Sequence, residues 1–446
     1  MSHWLRAVLC LWLLTGAAYA EMPVAVADAS REAFTHPIGT LNAEERQRFF
    51  AGRSLFRQSW VEAPAQDLSI AGLGPLYNRL SCLACHQKNG RGHAPGSPDE
   101  RMQSMLVRLS VPGRGPHGGP NPHPAYGDQL NEEGVLGVPG EGRARVTWEE
   151  SSTTLADGTP VSLRRPRVEF AELAYGSLDG VRFSPRVSPP VFGLGLLEAV
   201  PEATLRRMSR ETKPDGVRGR INRVWDAQRR RTVAGRFGLK ANQPNVRQQS
   251  AGAFIGDLGI TNPLAPQENC TAAQTACRQT PSARHPELTR QQLDDVAFYL
   301  DRLAPPARRD VDLPAVQRGE AQFAALGCTA CHRPQLRTGK HPRHAVLSHQ
   351  TIAPYTDLLI HDMGADLADG RPDFQASGRE WRTPPLWGVG LVERVNETLN
   401  LLHDGRARTF EEAILWHGGE GQAARDRYAR LPKAAREELQ AFLGSL

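Results

Sequence analysis

Two short strings constrain this chain more than any other feature. "SCLACHQKNGRG" (residues 81–92) and "GCTACHRP" (residues 327–334) both read C-x-x-C-H, through Cys82, Cys85 and His86 and through Cys328, Cys331 and His332. Two thiols three residues apart can add across the two vinyl groups of one haem. The histidine after the second thiol is then placed to ligate the iron. Half a zinc site or a redox dithiol also contains C-x-x-C, but neither requires the adjacent histidine at both copies. The motifs predict two covalently bound haem c groups, with paired zinc ribbons as the alternative.

Covalent haem attachment calls for an oxidising compartment outside the cytoplasm. The first twenty residues, "MSHWLRAVLCLWLLTGAAYA", read as an export signal: Arg6 near the start, an apolar run over Val8–Leu14, and the small-residue ending Ala18-Tyr19-Ala20. Cleavage after Ala20 and a periplasmic location are expected. The apolar run is too short to span a bilayer, and no other segment reads as a stable membrane span. Cys10 lies inside this signal, so six of the seven cysteines remain and four belong to the haem motifs. Cys270 and Cys277, in "ENCTAAQTACRQ", are left as a pair where disulfides persist, and a disulfide is expected between them. A working dithiol is the rival reading, but the gap lacks C-x-x-C geometry. The net charge of +6 is small for 446 residues and argues against nucleic acid as a partner. Arg229, Arg230 and Arg231 read as a solvated helix face.

Internal similarity organises the rest. "ERQRFFAGRSLF" precedes the first haem motif much as "AVQRGEAQFAALG" precedes the second. Each half closes on a segment with apolar residues at helical spacing, "LTRQQLDDVAFYLDRLAPP" and "KAAREELQAFLGSL". The expected fold is mainly α: two cytochrome c-like haem domains in tandem, at 21–306 and 307–446, after a signal peptide at 1–20. Between about 112 and 180 the chain becomes rich in Gly and Pro. There "ARVTWEESSTTLADGTPVSLRRPRVEF" predicts a β-hairpin insertion in the first domain, turning at Asp157-Gly158.

Several further strings carry a family resemblance: "GLGPLYNRLSCLACHQKNGRG", "SPPVFGLGLLEAVPE", "GRFGLKANQPNVRQQSAGAFIGDLGITNP", "YTDLLIHDMGADLADG", "REWRTPPLWGVG" and "LLHDGRARTFEEAILWHGGE". Together they resemble the bacterial di-haem oxidoreductases, a family often labelled thiol oxidoreductase, over nearly the whole chain beyond the signal. More distantly the chain is similar to di-haem cytochrome c peroxidases and to the methylamine dehydrogenase maturation enzyme MauG. That kinship implies one haem with an open iron position, where peroxide reacts, and a second that stores or relays electrons. It also implies a small redox protein, a cytochrome c or a cupredoxin, as electron donor. In the peroxidase relatives a Gln followed about ten residues later by a Glu faces the open iron. Gln248 or Gln249 matches the amide here, and Asp257 or Glu268 the acid.

Two departures from those relatives stand out. Leu239 lies near the place of an inter-haem Trp, leaving Trp225, Trp381 and Trp387 as relay candidates. Leu402 stands where a Met or Tyr ligand of the second haem is expected before the H-D-G motif. Met363, His361, His403 and His417 are the possible replacements. Around the first haem only His93, Met102 and Met105 lie near in sequence, so the reactive iron is expected at Cys82 and Cys85. Peroxide reduction is the favoured activity. An enzyme oxidising a protein or small organic substrate, and an electron-transfer cytochrome without catalysis, are the alternatives.

Overall fold

The computed structural model describes residues 24–282 and 284–446. The export signal and its cleavage after Ala20 lie outside the described residues.

A helix pair occurs twice. Helix Ala43–Arg57 starts on a capping box, in which Asn42 Oδ1 accepts from the Glu45 N–H at 2.9 Å and the Glu45 carboxylate accepts from the Asn42 N–H at 3.1 Å. It crosses helix Arg290–Arg302 at Gly52, where a Cβ would lie 2.0 Å from the Asp295 carbonyl oxygen. Only glycine permits that approach. Four residues on, Phe56 meets the rings of Tyr299 at 5.6 Å and His86 at 6.1 Å. In the second half, helix Pro314–Ala325 crosses helix Lys433–Ser445 at Gly319, where a Cβ would lie 2.0 Å from the Glu438 carbonyl oxygen. Phe323 then meets Phe442 at 5.2 Å and His332 at 6.1 Å. Each pair thus sets one aromatic ring against one haem-motif histidine.

The rest of the chain departs from the expected class. Helix accounts for 30% of the structure and strand for 19%, in several small sheets, so the protein is not mainly α and the expectation of tandem cytochrome-like domains is corrected. The physical reason lies in composition: 42 Gly and 34 Pro interrupt helical periodicity, and long connecting segments fold as loops and short ribbons instead. The main sheet is antiparallel, with strand Met105–Arg114 between Pro120–Asn121 and Arg182–Val187.

Strands Arg143–Thr154 and Pro160–Ala171 form a long hairpin, paired from Arg143↔Ala171 to Thr154↔Pro160. Its tip crosses to the second half. Leu155 and Val161 pack in one cluster with Phe323 and Phe442, Asp157 Oδ2 accepts from Arg436 Nη1 at 2.8 Å, and the Ala156 N–H donates to the Ala429 carbonyl at 3.0 Å. Cys270 and Cys277 form a disulfide with Cα atoms 5.7 Å apart. Within that loop Gln274 is buried and donates to Glu141 at 2.5 Å, pinning the loop to the segment before the hairpin. No helix among the described residues is long and apolar enough to cross a membrane.

Candidate functional site

Both C-x-x-C-H strings fold as one tight turn. Ser81 caps the first, its Oγ accepting from the Ala84 N–H at 3.2 Å, and the His86 N–H donates to the Cys82 carbonyl at 3.0 Å. Gly327, at φ 89°, opens the second, and the His332 N–H donates to the Cys328 carbonyl at 2.9 Å. The two histidines are held alike. His86 Nδ1–H donates to the Pro189 carbonyl at 2.8 Å and His332 Nδ1–H to the Tyr355 carbonyl at 3.0 Å. These bonds fix the tautomer and leave each Nε2 with its lone pair free. Burial drives both imidazoles down to about 4, so both are neutral at neutral pH.

One cavity of about 820 Å³ joins the two motifs and is lined by all four thiols and both histidines. The four thiols are unpaired, and burial pushes Cys82, Cys85 and Cys328 up to about 12. Phe56, Leu197 and Leu300 form apolar wall at one end, and Phe323, Leu439 and Leu443 at the other. Half-buried guanidinium groups interrupt this apolar lining. Arg382 donates to the backbone carbonyls of Gly238 at 3.0 Å and Thr383 at 3.3 Å, and Arg91 to those of Asn400 at 2.6 Å and of Leu402. Burial lowers both to about 10, the mark of cations short of anions. Thiol pairs, neutral imidazoles with free Nε2, flat apolar walls and cations awaiting carboxylates fit a haem at each end, the propionates supplying the anions. Among the described residues no group of three or more His, Cys, Asp or Glu side chains is arranged to hold a bare metal ion.

Helix Val246–Asp257 runs along this cavity, and its sequence-expected residues separate. Gln249 and Asp257 line the cavity. Gln248 faces away, its Nε2 donating to the Trp225 carbonyl at 3.0 Å and its Oε1 accepting from the Ala227 N–H at 2.8 Å; it holds a neighbouring hairpin in place. Glu268 does not line the cavity. Burial, with Glu287 beside it, raises its carboxyl to about 7. Asp257 Oδ1 accepts from Gln129 Nε2 at 2.9 Å. Burial raises the Asp257 carboxyl, opposed by the nearby Arg108 guanidinium, which also pairs with Asp128 at 3.1 Å. No motif in the sequence singles out Arg108 or Gln129. The signal for Arg108 was a lone charge inside the apolar alternation "SMLVRLSV".

At the second end the possible iron ligands also separate. His361 has both ring nitrogens engaged, Nδ1 with Glu420 at 2.7 Å and Nε2 with Asp357 at 3.0 Å; these carboxylates outweigh burial and hold it well above the usual imidazole range. His403 stacks on Trp381 at 3.8 Å, with Nε2 3.3 Å from Asp404. His417 repeats the pattern of the two motif histidines: it lines the cavity, and Nδ1–H donates to the Ala413 carbonyl at 2.7 Å, leaving Nε2 free. Met363 also lines the cavity. A Cβ on Gly421 would lie 3.1 Å from His417 Cδ2 and 3.3 Å from Met363 Cε, so the two converge on one spot. Leu402, at φ 67°, lines the wall and offers no donor atom. At the first end Met105 reaches the cavity, whereas His93 is drawn toward Ser104 and Glu100.

Of the tryptophans, Trp225 stacks on His117 at 4.0 Å, away from the cavity. Trp381 and Trp387 line it beside Leu239, and Lys240 Nζ sits 4.2 Å over the Trp381 ring.

This geometry defines a redox protein built around two cofactor seats in one cavity. The chain belongs to the family described as "Di-haem oxidoreductase, putative peroxidase", whose model matches residues 16–446. No curated protein matches the chain. Among solved structures it is similar, at 17% identity and a TM-score of 0.25, to a chain of Kuenenia stuttgartiensis hydrazine synthase pressurised with xenon; the match covers 41% of this chain and 65% of that one.

Proposed function

We propose that the protein is a periplasmic peroxidase with a covalently bound haem c at each C-x-x-C-H motif, electrons passing from the C-terminal haem to the N-terminal one. The observation that carries this reading is the asymmetry of the shared cavity: a half-buried, raised carboxyl at one end and a half-buried imidazole with a free Nε2 at the other. Bound at these seats, haem would supply the redox chemistry that cleaves the O–O bond. The overall reaction takes hydrogen peroxide, two electrons and two protons to two waters. Asp257 holds one of these protons. Gln129 donates to its Oδ1, so Oδ2 is the oxygen that carries the proton to the departing hydroxide. Arg108 then stabilises the carboxylate that remains.

At the other end His417, with Met363 beside it, would hold the second haem iron through its free Nε2. His417→Ala is expected to convert that haem from low-spin to high-spin, seen by electron paramagnetic resonance with haem content unchanged. A spectrum that stays low-spin with a thioether charge-transfer band would assign the ligand to Met363. Trp387 is the better placed relay of the two cavity tryptophans, because the Lys240 cation over Trp381 opposes removing an electron from that ring.

The test of the proposed activity is peroxide addition to the half-reduced protein. Rapid oxidation of both haems with one peroxide consumed per two electrons is expected. Two low-spin haems inert to peroxide would make the protein an electron carrier instead.

A further inference from the structure

Arg229, Arg230 and Arg231 do not lie on a helix. They occupy the turn and first strand residue of the hairpin formed by Arg223–Asp226 and Arg231–Ala234, and all three are exposed. The hairpin is tied to helix Glu202–Met208 through Arg223 Nη1, which donates to Glu202 at 2.8 Å, and the residues just after the hairpin meet those just before the helix where Arg236 Nη1 donates to the Val200 carbonyl at 2.6 Å. That helix buries Leu205 and Met208 and turns Arg206 and Arg207 outward, their side chains 59% and 71% exposed, with exposed Arg210 just beyond. The few acids here are shared. Glu202 accepts from both Arg206 and Arg223, and Glu211 lies against Arg333 and 3.9 Å from Arg207. A surplus of positive charge therefore faces solvent along one ridge.

The ridge ends against the second haem motif. Arg333, held by Glu211, directly follows His332. Lys213 continues inward to Asp357 at 2.9 Å, Asp357 to His361 at 3.0 Å, and His361 Nδ1 to Cys331 Sγ at 3.5 Å. Asp215, exposed on the same segment, lies on the rim of the cavity and pairs with Arg427 at 2.5 Å. The cavity therefore approaches the surface at the cationic ridge.

We propose that this ridge docks a small acidic redox protein, which passes electrons one at a time to the haem held by Cys328 and Cys331. In each step the donor's metal centre loses one electron and the ferric iron of that haem gains it; no bond or proton changes place. The proposal rests on the reading of the C-terminal haem as the electron entry site. Its partner follows from charge: an exposed cationic surface steers an anionic protein and repels a basic one.

The test follows reduction of the holoprotein, without peroxide, by stopped-flow absorbance, using a reduced acidic cupredoxin and a reduced basic cytochrome c as probes. The acidic probe is expected to react faster at low salt and to slow as salt rises. The triple variant Arg206→Glu, Arg207→Glu, Arg210→Glu should lower its second-order rate constant about 10- to 100-fold at low salt and flatten the salt dependence. The single variant Arg207→Glu is expected to move the rate in the same direction, and carries the test if the triple variant loses haem. A matched reversal at Arg143, Arg145 and Arg167 on the long hairpin should leave the rate unchanged. Wild-type kinetics in the ridge variants, or a faster reaction with the basic probe, would overturn the proposal. So would arginine-dependent binding to anionic lipid vesicles without any effect on the protein probe. Because peroxide is absent, failure of the peroxidase reading leaves these rates as they are, and failure here leaves peroxide cleavage intact.

Discussion

Replacing Cys82 and Cys85 together by Ala is expected to yield a protein with one covalent haem in place of two and a disordered first half. The haem count follows from the chemistry of attachment, since no other free thiol among the described residues lies at that end of the cavity. The loss of order follows from packing. If half of the roughly 820 Å³ cavity stayed open, the usual cost of about 24 cal/mol per Å³ of void would come to about 10 kcal/mol. That equals the whole stability of an ordinary domain, about 5–15 kcal/mol. Phe56, Leu197 and Leu300 would collapse inward instead, and the glycine crossing at Gly52 would open with them. Intact mass would fall by one haem, the Soret absorbance per chain by about half, and limited proteolysis would cut the first half while sparing the second. Two retained haems, or zinc in their place, would overturn the assignment of these thiols.

The two thiol–histidine turns were legible because their motif is local: three residue types at fixed spacing, repeated. The paired helices were legible for a related reason. Gly52 and Phe56 in "AGRSLF" and Gly319 and Phe323 in "GEAQF" keep the same four-residue step, which one helical turn turns into one close crossing and one ring on the motif histidine. What was not legible depends on contacts distant in sequence. Counting along the chain made Gln248 and Gln249, or Asp257 and Glu268, near equivalents. The helix turns Gln249 inward and Gln248 outward by about 100°, and the loop beyond Asp257 carries Glu268 off toward Glu287. On sequence His361 stood ahead of His417 as a possible ligand. Only the fold shows that Asp357 and Glu420 occupy both nitrogens of one while the other spends Nδ1 on its own helix. A hint did exist in "ILWHGGE", since a histidine at a helix end followed by glycine can reach back to the carbonyl four residues earlier. The overall class is not legible for a different reason: the motifs mark two local turns, but Gly- and Pro-rich connections decide how much of the chain is helical, and here they fold into ribbons.

Asp257→Asn should preserve both haems and their reduction, yet slow peroxide cleavage by about two orders of magnitude, the usual scale for losing a positioned acid. The amide keeps the shape of the carboxyl and still accepts the hydrogen bond from Gln129, so the variant removes the proton and little else. The pH dependence supplies a second signature. Burial raises the Asp257 carboxyl above its ordinary value, so the protonated, competent form persists to higher pH than for an exposed aspartate. The rate of peroxide cleavage should therefore fall as pH rises through that raised pKa, and this limb should vanish in the Asn variant. Arg108→Gln removes the cation that favours the ionised carboxylate, so it should shift the limb further upward in pH while leaving the haem spectra unchanged. Stopped-flow peroxide reaction of the half-reduced protein across a pH series measures all three. Wild-type turnover in Asp257→Asn with Glu268→Gln inactive would move the acid to Glu268, and wild-type turnover in both would remove acid catalysis by either carboxyl.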